Sequence, residues 1–578
     1  MRASRTHKRL ALFMGLAVVF LVALFARTFY VQVFAAPKLQ ERADSQHVRT
    51  IELDAPRGTI FDRKGEALAI SRPMASIYAD PRHVPDAEKT AAALAPVLGL
   101  SKQELQDKLK GDVGFRYLAR KIDPAIGERV KALKLEGIGV LSEPKRVYPK
   151  GALAPQLLGF VGGQDYLGME GLEYEYDKLL SGKPGQTQVV RDLSGNRLST
   201  ISTTDAVPGS SLTLTIDSEI QFEAEKALAD AVEEYDAKRA CALVMDPSTG
   251  EILAMASTPV FSPENYSSAD LKKGEGRNWM VTDQLEPGST FKMVTVAAAL
   301  ENGIVTPDTP FTLPNEINVY EKTIHEADEN VPLTRTLTVT QILSQSSNIG
   351  AVTLGKEVGK EHLVDMIKKF GFTKKLDIDF PGETPGQLPE RWDGVTIYQI
   401  PMGQGVAVSP LQLATAYAAI ANDGVLVQPH LVRETADPWS RRVVSPAVAA
   451  QLRRMLTVTV EEGTGKKARL QGYQVAGKTG TAQKPNEKSS GYSDQVIASF
   501  VGMVPADAPR LVVLVMIDEP KSQHSGAQVA APVFATITDF ALRRLGIAPA
   551  SVEERSLGAK AADTRTAEED TADLSGSE

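Results

Sequence analysis

Pro287-Gly288-Ser289-Thr290-Phe291-Lys292 opens an apolar run that continues to Leu300 and ends at Gly303. A Pro-Gly turn ahead of such a run predicts a helix that carries Ser289 at its N-terminus, with Lys292 on the same face. A serine hydroxyl becomes a nucleophile when an adjacent base takes its proton, and a lysine serves if burial or nearby positive charge lowers its pKa. The helix N-terminus favours the developing anion. We therefore predict Ser289 as an acyl-transfer nucleophile.

The S-x-x-K pattern occurs a second time in the chain, so it is weak evidence for a catalytic serine when taken alone. Ser142-Glu143-Pro144-Lys145 also fits S-x-x-K. Pro144 and the extended residues at 146–148 disfavour a helix there, so we interpret Ser142 as structural. An isolated S-x-x-K is most often a chance match, and the prediction for Ser289 therefore depends on further motifs.

Two such motifs follow along the chain. Ser346-Ser347-Asn348 places a hydroxyl two residues from an amide, which suits a proton relay beside a ligand for a substrate amide. Ser194-Gly195-Asn196 fits the same pattern in a turn, so turn chemistry is the alternative. Lys478-Thr479-Gly480-Thr481 begins in a strand, where its cation and hydroxyls suit a carboxylate and its glycine allows close approach of a ligand. A solvated Lys-Thr turn is the alternative there.

In this order, S-x-x-K, S-x-N and K-T-G resemble the motif set of penicillin-binding proteins. The resemblance covers about residues 212–545 and implies an α/β (α+β) penicillin-binding transpeptidase fold, with a central, mainly antiparallel sheet and helices on both faces. Residues 57–63, Arg-Gly-Thr-Ile-Phe-Asp-Arg, and residues 168–173 resemble class B signatures, although Lys64 stands where the family often has Asn. The chain is most similar to the division-specific class B D,D-transpeptidases, an inference that 190–197 also supports.

The resemblance implies a role for each residue of the motifs. The implied catalytic residues are the nucleophile, its base and a proton relay to the leaving amine, namely Ser289, Lys292, Ser346 and Lys478. The implied substrate-binding residues hold the donor amide and the terminal carboxylate, namely Asn348, Thr479, Gly480 and Thr481. The backbone N–H groups of Ser289 and Thr481 would form the oxyanion hole. Gly403-Gln404-Gly405 resembles a further loop near the active site, or is a flexible turn. No metal or organic cofactor is expected.

The N-terminal region predicts export of the rest of the chain. Leu10 to Ala26 is uncharged and apolar, and we predict a transmembrane helix over 10–32. Basic residues within 1–9 predict that this tail stays in the cytoplasm. A cleaved signal peptide is the alternative, but no A-x-A-like site follows the run.

The resemblance implies two domains in the exported part, and composition indicates a third region at its end. We predict a mixed α/β N-terminal dimerisation or pedestal module over 37–210 and the transpeptidase domain over 212–545. The acidic residues 549–578, which include few large apolar side chains, are predicted to be disordered. A formal net charge of −8 argues against a nucleic-acid partner. The chain has no H-E-x-x-H and no C-x-x-C, and its one cysteine, Cys241, lies in an apolar run that predicts burial.

The function implied by the resemblance is cross-linking of peptidoglycan stem peptides at the division septum, as a single-pass protein of the inner (cytoplasmic) membrane with its catalytic domain periplasmic or extracellular. The partners that the resemblance to the division enzymes implies are a polytopic membrane glycosyltransferase and other division proteins. Residues 37–210 have no glycosyltransferase signature, so the chain itself is not expected to polymerise glycan. An elongation-specific transpeptidase is the first alternative. A D,D-carboxypeptidase or β-lactamase, and a β-lactam sensor or scaffold without activity, are the others. The chain has no G-x-S-x-G elbow, which argues against a generic serine hydrolase.

Overall fold

The computed structural model describes residues 2–36, 48–163, 166–191, 197–266, 276–320, 322–328, 330–434, 437–486 and 491–549. The predicted disordered tail lies outside these residues apart from Pro549, and so does most of the 190–197 stretch. The chain forms two compact units. The smaller unit comprises 1–58, 71–145 and 181–210, and the larger comprises 59–70, 146–180 and 211–578. The larger unit carries all three predicted motifs.

A five-stranded antiparallel sheet forms the centre of the larger unit. Its strands in chain order are β1 (Arg239–Met245), β2 (Ile252–Thr258), β5 (Ala476–Pro485), β6 (Tyr492–Val504) and β7 (Leu511–Asp518). Their order across the sheet is β2-β1-β7-β6-β5, so the strand with the Lys-Thr-Gly motif is an edge strand. The intervening β3 (Glu316–Val319) and β4 (Lys322–His325) form a separate hairpin.

Helices cover both faces of the sheet because the side chains of each strand alternate between two apolar cores. In β1, Leu243 belongs to one core and Val244 to the other. The helices are α1 (Ser218–Tyr235), α2 (Lys292–Glu301), α3 (Val339–Ser344), α4 (Asn348–Lys369), α5 (Pro410–Ala421), α6 (Pro446–Glu461) and α7 (Gly526–Arg544). Helices α1 and α7 contribute to the second core, and α2, α4 and α5 to the first. This arrangement confirms the predicted antiparallel sheet with helices on both faces.

Shorter elements complete the larger unit. Its short helices, three of them 3-10 turns, are Pro155–Leu158, Gly171–Glu175, Asp177–Leu180, Trp279–Thr282, Gly288–Phe291, Thr396–Gln399, Ile400–Met402 and Lys466–Ala468. Its short strand pairs are Ile60–Phe61 with Leu212–Thr213, Val161–Gly162 with Leu167–Gly168, Pro310–Pro314 with Thr334–Thr338, and Val425–Val427 with Ser440–Arg442. A buried ion pair joins Arg146 to Glu173, with Nε and Oε1 2.6 Å apart.

The smaller unit has its own apolar core and a mixed α/β composition. Its helices are Pro81–His83, Ala87–Leu98, Lys102–Lys108 and Pro124–Ala132, and its strands are Val48–Leu53, Arg116–Ile122, Gly185–Arg191 and Arg197–Thr204. The long strands Ala67–Ala79 and Ile138–Val147 begin or end in the larger unit. Because Ser142 lies within the second of these strands, the prediction that its S-x-x-K match is not helical is confirmed.

The N-terminus forms a helix over Arg2–Phe29 that continues as one π-helical turn over Tyr30–Ala35. His7–Phe34 is the one stretch of the described chain long and apolar enough to cross a membrane. The helix therefore fits a single-pass membrane anchor. The predicted domain boundaries at 37–210 and 212–545 stay predictions. The compact units differ from them in that 59–70 and 146–180 group with the larger unit.

Candidate active site

Ser289 lies in a single 3-10 turn, Gly288–Phe291, that leads directly into α2. The turn is held by the loop at Gly403, whose carbonyl accepts a hydrogen bond from the N–H of Gly288 at 3.0 Å. Both glycines have positive φ, and a Cβ on Gly403 would lie 2.1 Å from the carbonyl oxygen of Gly288. The Gly403–Gly405 loop is thus packed against the serine turn, where only glycine fits.

The hydroxyl of Ser289 is partly exposed and opens onto two cavities. Within the described part of the chain, no other group forms a hydrogen bond with it. The backbone carbonyl of the next residue, Thr290, accepts a hydrogen bond from the buried Tyr417 hydroxyl at 2.7 Å. The turn is therefore held on its buried side, while the hydroxyl oxygen of Ser289 faces open space.

Lys292 is enclosed beneath this turn, with 1% of its surface exposed. Its Nζ donates to the carbonyl oxygen of Ser346 at 2.6 Å, to the hydroxyl of Ser346 at 3.3 Å and to Oδ1 of Asn348 at 2.8 Å. Burial lowers the pKa of Lys292 to about 7, against a smaller opposing effect of the negative charge of Glu326. A substantial fraction of the amine is therefore neutral near neutral pH, which a general base requires.

The Ser346 loop connects α3 to α4 and is bent sharply, with a φ of 61° at Ser346. Ser347 begins α4 as its N-cap, because its hydroxyl accepts the N–H of Gly350 at 2.9 Å. Asn348 completes the loop, and its Nδ2 donates to the carbonyl of His325 at 3.0 Å. The amide of Asn348 is therefore oriented from both ends, by Lys292 and by the β3–β4 hairpin.

Glu326 follows β4 and holds the loop from the other side. Its carboxylate accepts hydrogen bonds from the hydroxyl of Ser347 at 2.5 Å and from the N–H of Asn348 at 2.8 Å. It also pairs with Arg335 at 2.8 Å, and its side chain is only 3% exposed. None of the sequence motifs predicts a role for Glu326. A lone acidic residue at a hairpin end gives no pattern from which its contact with the loop could have been predicted.

The edge strand β5 supplies the last motif. Lys478 is fully buried, and its Nζ donates to the carbonyl of Thr479 at 3.0 Å. Burial, together with the positive charge of Lys292, holds the pKa of Lys478 well below its ordinary value. The hydroxyl of Thr479 contacts that of Thr464 at 2.8 Å. The hydroxyl of Thr481 accepts the N–H of Gly526 at 3.1 Å, at the N-terminus of α7.

Gly480 lets β5 lie directly against the serine turn. A Cβ there would come within 2.4 Å of the hydroxyl of Ser499 and 2.9 Å of Cγ2 of Thr290. The absence of a side chain at Gly480 thus allows the motif strand to approach the turn that carries Ser289.

The two cavities meet at Ser289, Asn348 and Thr481, which line both. One has a volume of about 520 Å³ and extends past Gln483 and Tyr492, and the other, of about 550 Å³, extends past Thr479 and Thr464. The structure therefore brings the serine, the loop amide and the strand hydroxyls to one cleft. It also places Lys292 in contact with Ser346 and Asn348. Among the described residues, Lys478 forms no hydrogen bond with any of these side chains, although the positive charge of Lys292 contributes to lowering its pKa. The described residues contain no group of His, Cys, Asp and Glu suited to a metal ion.

Comparison with known proteins identifies the family. The protein-family model of the penicillin-binding protein transpeptidase domain matches residues 240–539. The family model of the penicillin-binding protein dimerisation domain matches residues 52–214. The chain belongs to the class B penicillin-binding proteins, which combine these two domains. The predicted family and transpeptidase fold are thereby confirmed.

Individual relatives span nearly the whole chain. Peptidoglycan D,D-transpeptidase FtsI of Escherichia coli is 35% identical over 94% of this chain and 92% of its own length. Stage V sporulation protein D of Bacillus subtilis is 34% identical over 94% of this chain and 86% of its own. The crystal structure of penicillin-binding protein 3 from Mycobacterium tuberculosis, complexed with aztreonam, superposes with a TM-score of 0.67 at 29% identity, covering 87% of this chain and 98% of that one.

Proposed function

We propose that this chain is a serine-type peptidoglycan D,D-transpeptidase, which cross-links stem peptides through an acyl-enzyme on Ser289 and is a target of β-lactams. The observation that carries the proposal is the contact between a buried Lys292, whose pKa is lowered to about 7, and the Ser346–Asn348 loop at the cleft that Ser289 lines. Names of relatives, including the D,D-transpeptidase FtsI, support the same activity.

In the first half of the reaction, neutral Lys292 takes the proton of Ser289 as the serine oxygen attacks the carbonyl carbon of the penultimate D-Ala. The bond to the terminal D-Ala then breaks, and its nitrogen leaves as an amine. Ser346, together with Lys478, relays to that nitrogen the proton that Lys292 took from Ser289. Asn348 holds the donor amide. The terminal carboxylate is bound by the hydroxyls of Thr479 and Thr481, near the partial positive charge at the N-terminus of α7. Gly480 gives the substrate access to the backbone of β5, an edge strand to which an extended peptide can add.

The first test is covalent labelling by a fluorescent penicillin. The exported part of the parent chain is expected to carry a stable label, and Ser289→Ala to carry none. Ser142→Ala, which removes the serine of the second S-x-x-K match, is the control and should label like the parent. Label on Ser289→Ala would overturn the proposal, and rapid loss of label by hydrolysis would favour a β-lactamase instead.

We further propose that the enzyme acts at the division septum, anchored by the N-terminal helix with residues 1–9 in the cytoplasm and the catalytic domain outside. Its partners there would be a polytopic membrane glycosyltransferase and other division proteins. The similarity to FtsI over 94% of this chain supports the division role. A fluorescently tagged chain is expected at mid-cell constrictions, whereas a lateral distribution would support the elongation-specific alternative.

A further inference from the structure

The cleft has two lobes that differ in lining, and β5 crosses from one to the other. We call them the Gln483 lobe, of about 520 Å³, and the Thr464 lobe, of about 550 Å³. Thr481 lines both, Ala482 and Gln483 line only the first, and Thr479 lines only the second. Position along the strand therefore corresponds to position along the cleft, with Ser289 at the junction.

The proposed function assigns a direction to a donor peptide in this cleft. If Thr479 and Thr481 bind its terminal carboxylate, the terminal residue lies toward the Thr464 lobe and the rest of the peptide toward the Gln483 lobe. The leaving amine therefore departs on the side of the Thr464 lobe. Acyl transfer to an amine is the reverse of expulsion of an amine, so the incoming nitrogen must approach the ester carbonyl from that side.

The lining of the Thr464 lobe is suited to an amine. Its described charged residues are Glu326, Asp328, Glu462 and Arg335. Glu326 forms an ion pair with Arg335, so the two charges add nothing to the net charge of the lobe. Asp328 and Glu462 are exposed, and neither forms an ion pair within the described chain, although Asp328 accepts hydrogen bonds from Asn330. These carboxylates come from two different walls, the turn after β4 and the end of α6, and they give the lobe a negative potential that attracts ammonium groups.

We propose, resting on the proposed function, that the Thr464 lobe is the binding site of the acyl acceptor, the side-chain amine of a second stem peptide, and that Asp328 and Glu462 recognise it. The ammonium releases one proton to water as it nears Ser289. Its nitrogen then forms an amide bond to the acyl carbon while the ester bond to the Ser289 oxygen breaks. The second amine proton returns to the Ser289 oxygen through Lys292, which restores the starting enzyme.

The experiment measures how the acyl-enzyme partitions between amine and water. The donor is a thioester whose acyl group is a D-alanyl residue, so that a thiol leaves as the acyl-enzyme forms. The acceptor is a stem tetrapeptide with a free side-chain amine at its third residue. The same tetrapeptide with that amine acetylated is the control acceptor. The aminolysis-to-hydrolysis ratio is measured for the parent, Glu462→Gln, Asp328→Asn and Asp230→Asn. Asp230 is exposed on α1 and lines neither lobe, which makes it a matched control.

Loss of either carboxylate is expected to lower the aminolysis-to-hydrolysis ratio about threefold, because one partly screened charge contact contributes an effect of that size. Asp230→Asn is expected to leave the ratio at the parental value. The parental ratio should also fall as salt rises, and less so in the two lobe variants. An unchanged ratio in both lobe variants, with folding verified by thermal melting, would overturn the proposal. The two carboxylates lie on separate elements, so one variant suffices if the other does not fold. Failure of the parent to form any acyl-enzyme would instead refute the proposed function.

Discussion

At the scale of single residues, Lys292 has the most direct consequence for activity. Because burial lowers its pKa to about 7, the neutral base is depleted below that pH and predominates above it. The rate of acylation of Ser289 by a fluorescent penicillin should therefore rise with pH and level off above an inflection near 7. Lys292→Arg should reduce the rate by about a thousandfold or more, because a guanidinium stays protonated. A rate that keeps rising to pH 10 would contradict the assignment of Lys292 as the base.

Glu326 acts on the same chemistry through the loop that it holds. Glu326→Gln replaces a carboxylate that accepts from Ser347, Asn348 and Arg335 by an amide with only one accepting oxygen. We expect acylation about tenfold slower, equivalent to about 1.4 kcal/mol, because one loop hydrogen bond is lost. The inflection of the pH profile should move below the parental one, since the negative charge of Glu326 raises the pKa of Lys292.

Glu326→Asp and Arg335→Ala separate these two effects. Glu326→Asp keeps the negative charge but has a shorter side chain. The inflection of its pH profile should therefore lie closer to the parental value than its acylation rate does. Arg335→Ala leaves both loop hydrogen bonds in place and should slow acylation less than Glu326→Gln. An inflection that is identical in all three variants would show that Glu326 has only a structural effect on the loop.

At the scale of elements, the contact between β5 and the serine turn determines whether the motifs form one site. Gly480→Ala would place a Cβ 2.4 Å from the hydroxyl of Ser499 and force the strand away from Thr290. We expect a loss of about ten- to a hundredfold in the acylation rate, because a displacement of about 1 Å is costly in a positioned site. Ser499→Ala removes the nearer atom, so the double variant should recover part of the rate while Ser499→Ala alone stays close to the parent. Absence of any recovery would exclude this steric mechanism.

The elements also show what local sequence could predict. The helical spacing of apolar residues predicts a helix over Ala87–Leu98, and Asp217 ahead of a second such run predicts the N-cap of α1. The structure has both, because they depend on local periodicity and capping. The apolar alternation over 212–216 predicts a strand, but the observed strand covers only Leu212–Thr213. Leu214 forms an isolated bridge with Val432, and the N–H of Thr215 binds the carbonyl of Leu431. Partners that are distant in sequence decided that outcome.

The candidate site also contains features that the sequence predicted and features that it did not. The resemblance of the motifs predicted that Ser289, the Ser346 loop and Thr481 meet at one cleft, and these residues do line it. It did not predict that Ser289 lies in a 3-10 turn ahead of α2 rather than in the helix itself. That turn depends on the packing of Gly403 against Gly288, more than a hundred residues away. Glu326 was missed for the same reason, because its contacts with Ser347 and Asn348 exist only in the folded chain.

At the scale of the whole molecule, the charges around the first helix predict the orientation of the chain across the membrane. Basic residues precede the span, so the positive-inside rule predicts that Ser4 is cytoplasmic and everything after Phe34 is outside.

Cysteine labelling can test this topology with little background, because the single cysteine, Cys241, is fully buried. Burial also holds the pKa of its thiol well above the ordinary value. The parent should therefore remain unlabelled by a membrane-impermeant maleimide in spheroplasts. Ser522→Cys, at an exposed position after β7, should label without lysis, and Ser4→Cys only after the membrane is opened. Labelling of Ser4→Cys in intact spheroplasts, or protection of Ser522→Cys, would contradict the predicted topology. The cleft would then lie on the opposite side of the membrane from the site of peptidoglycan assembly.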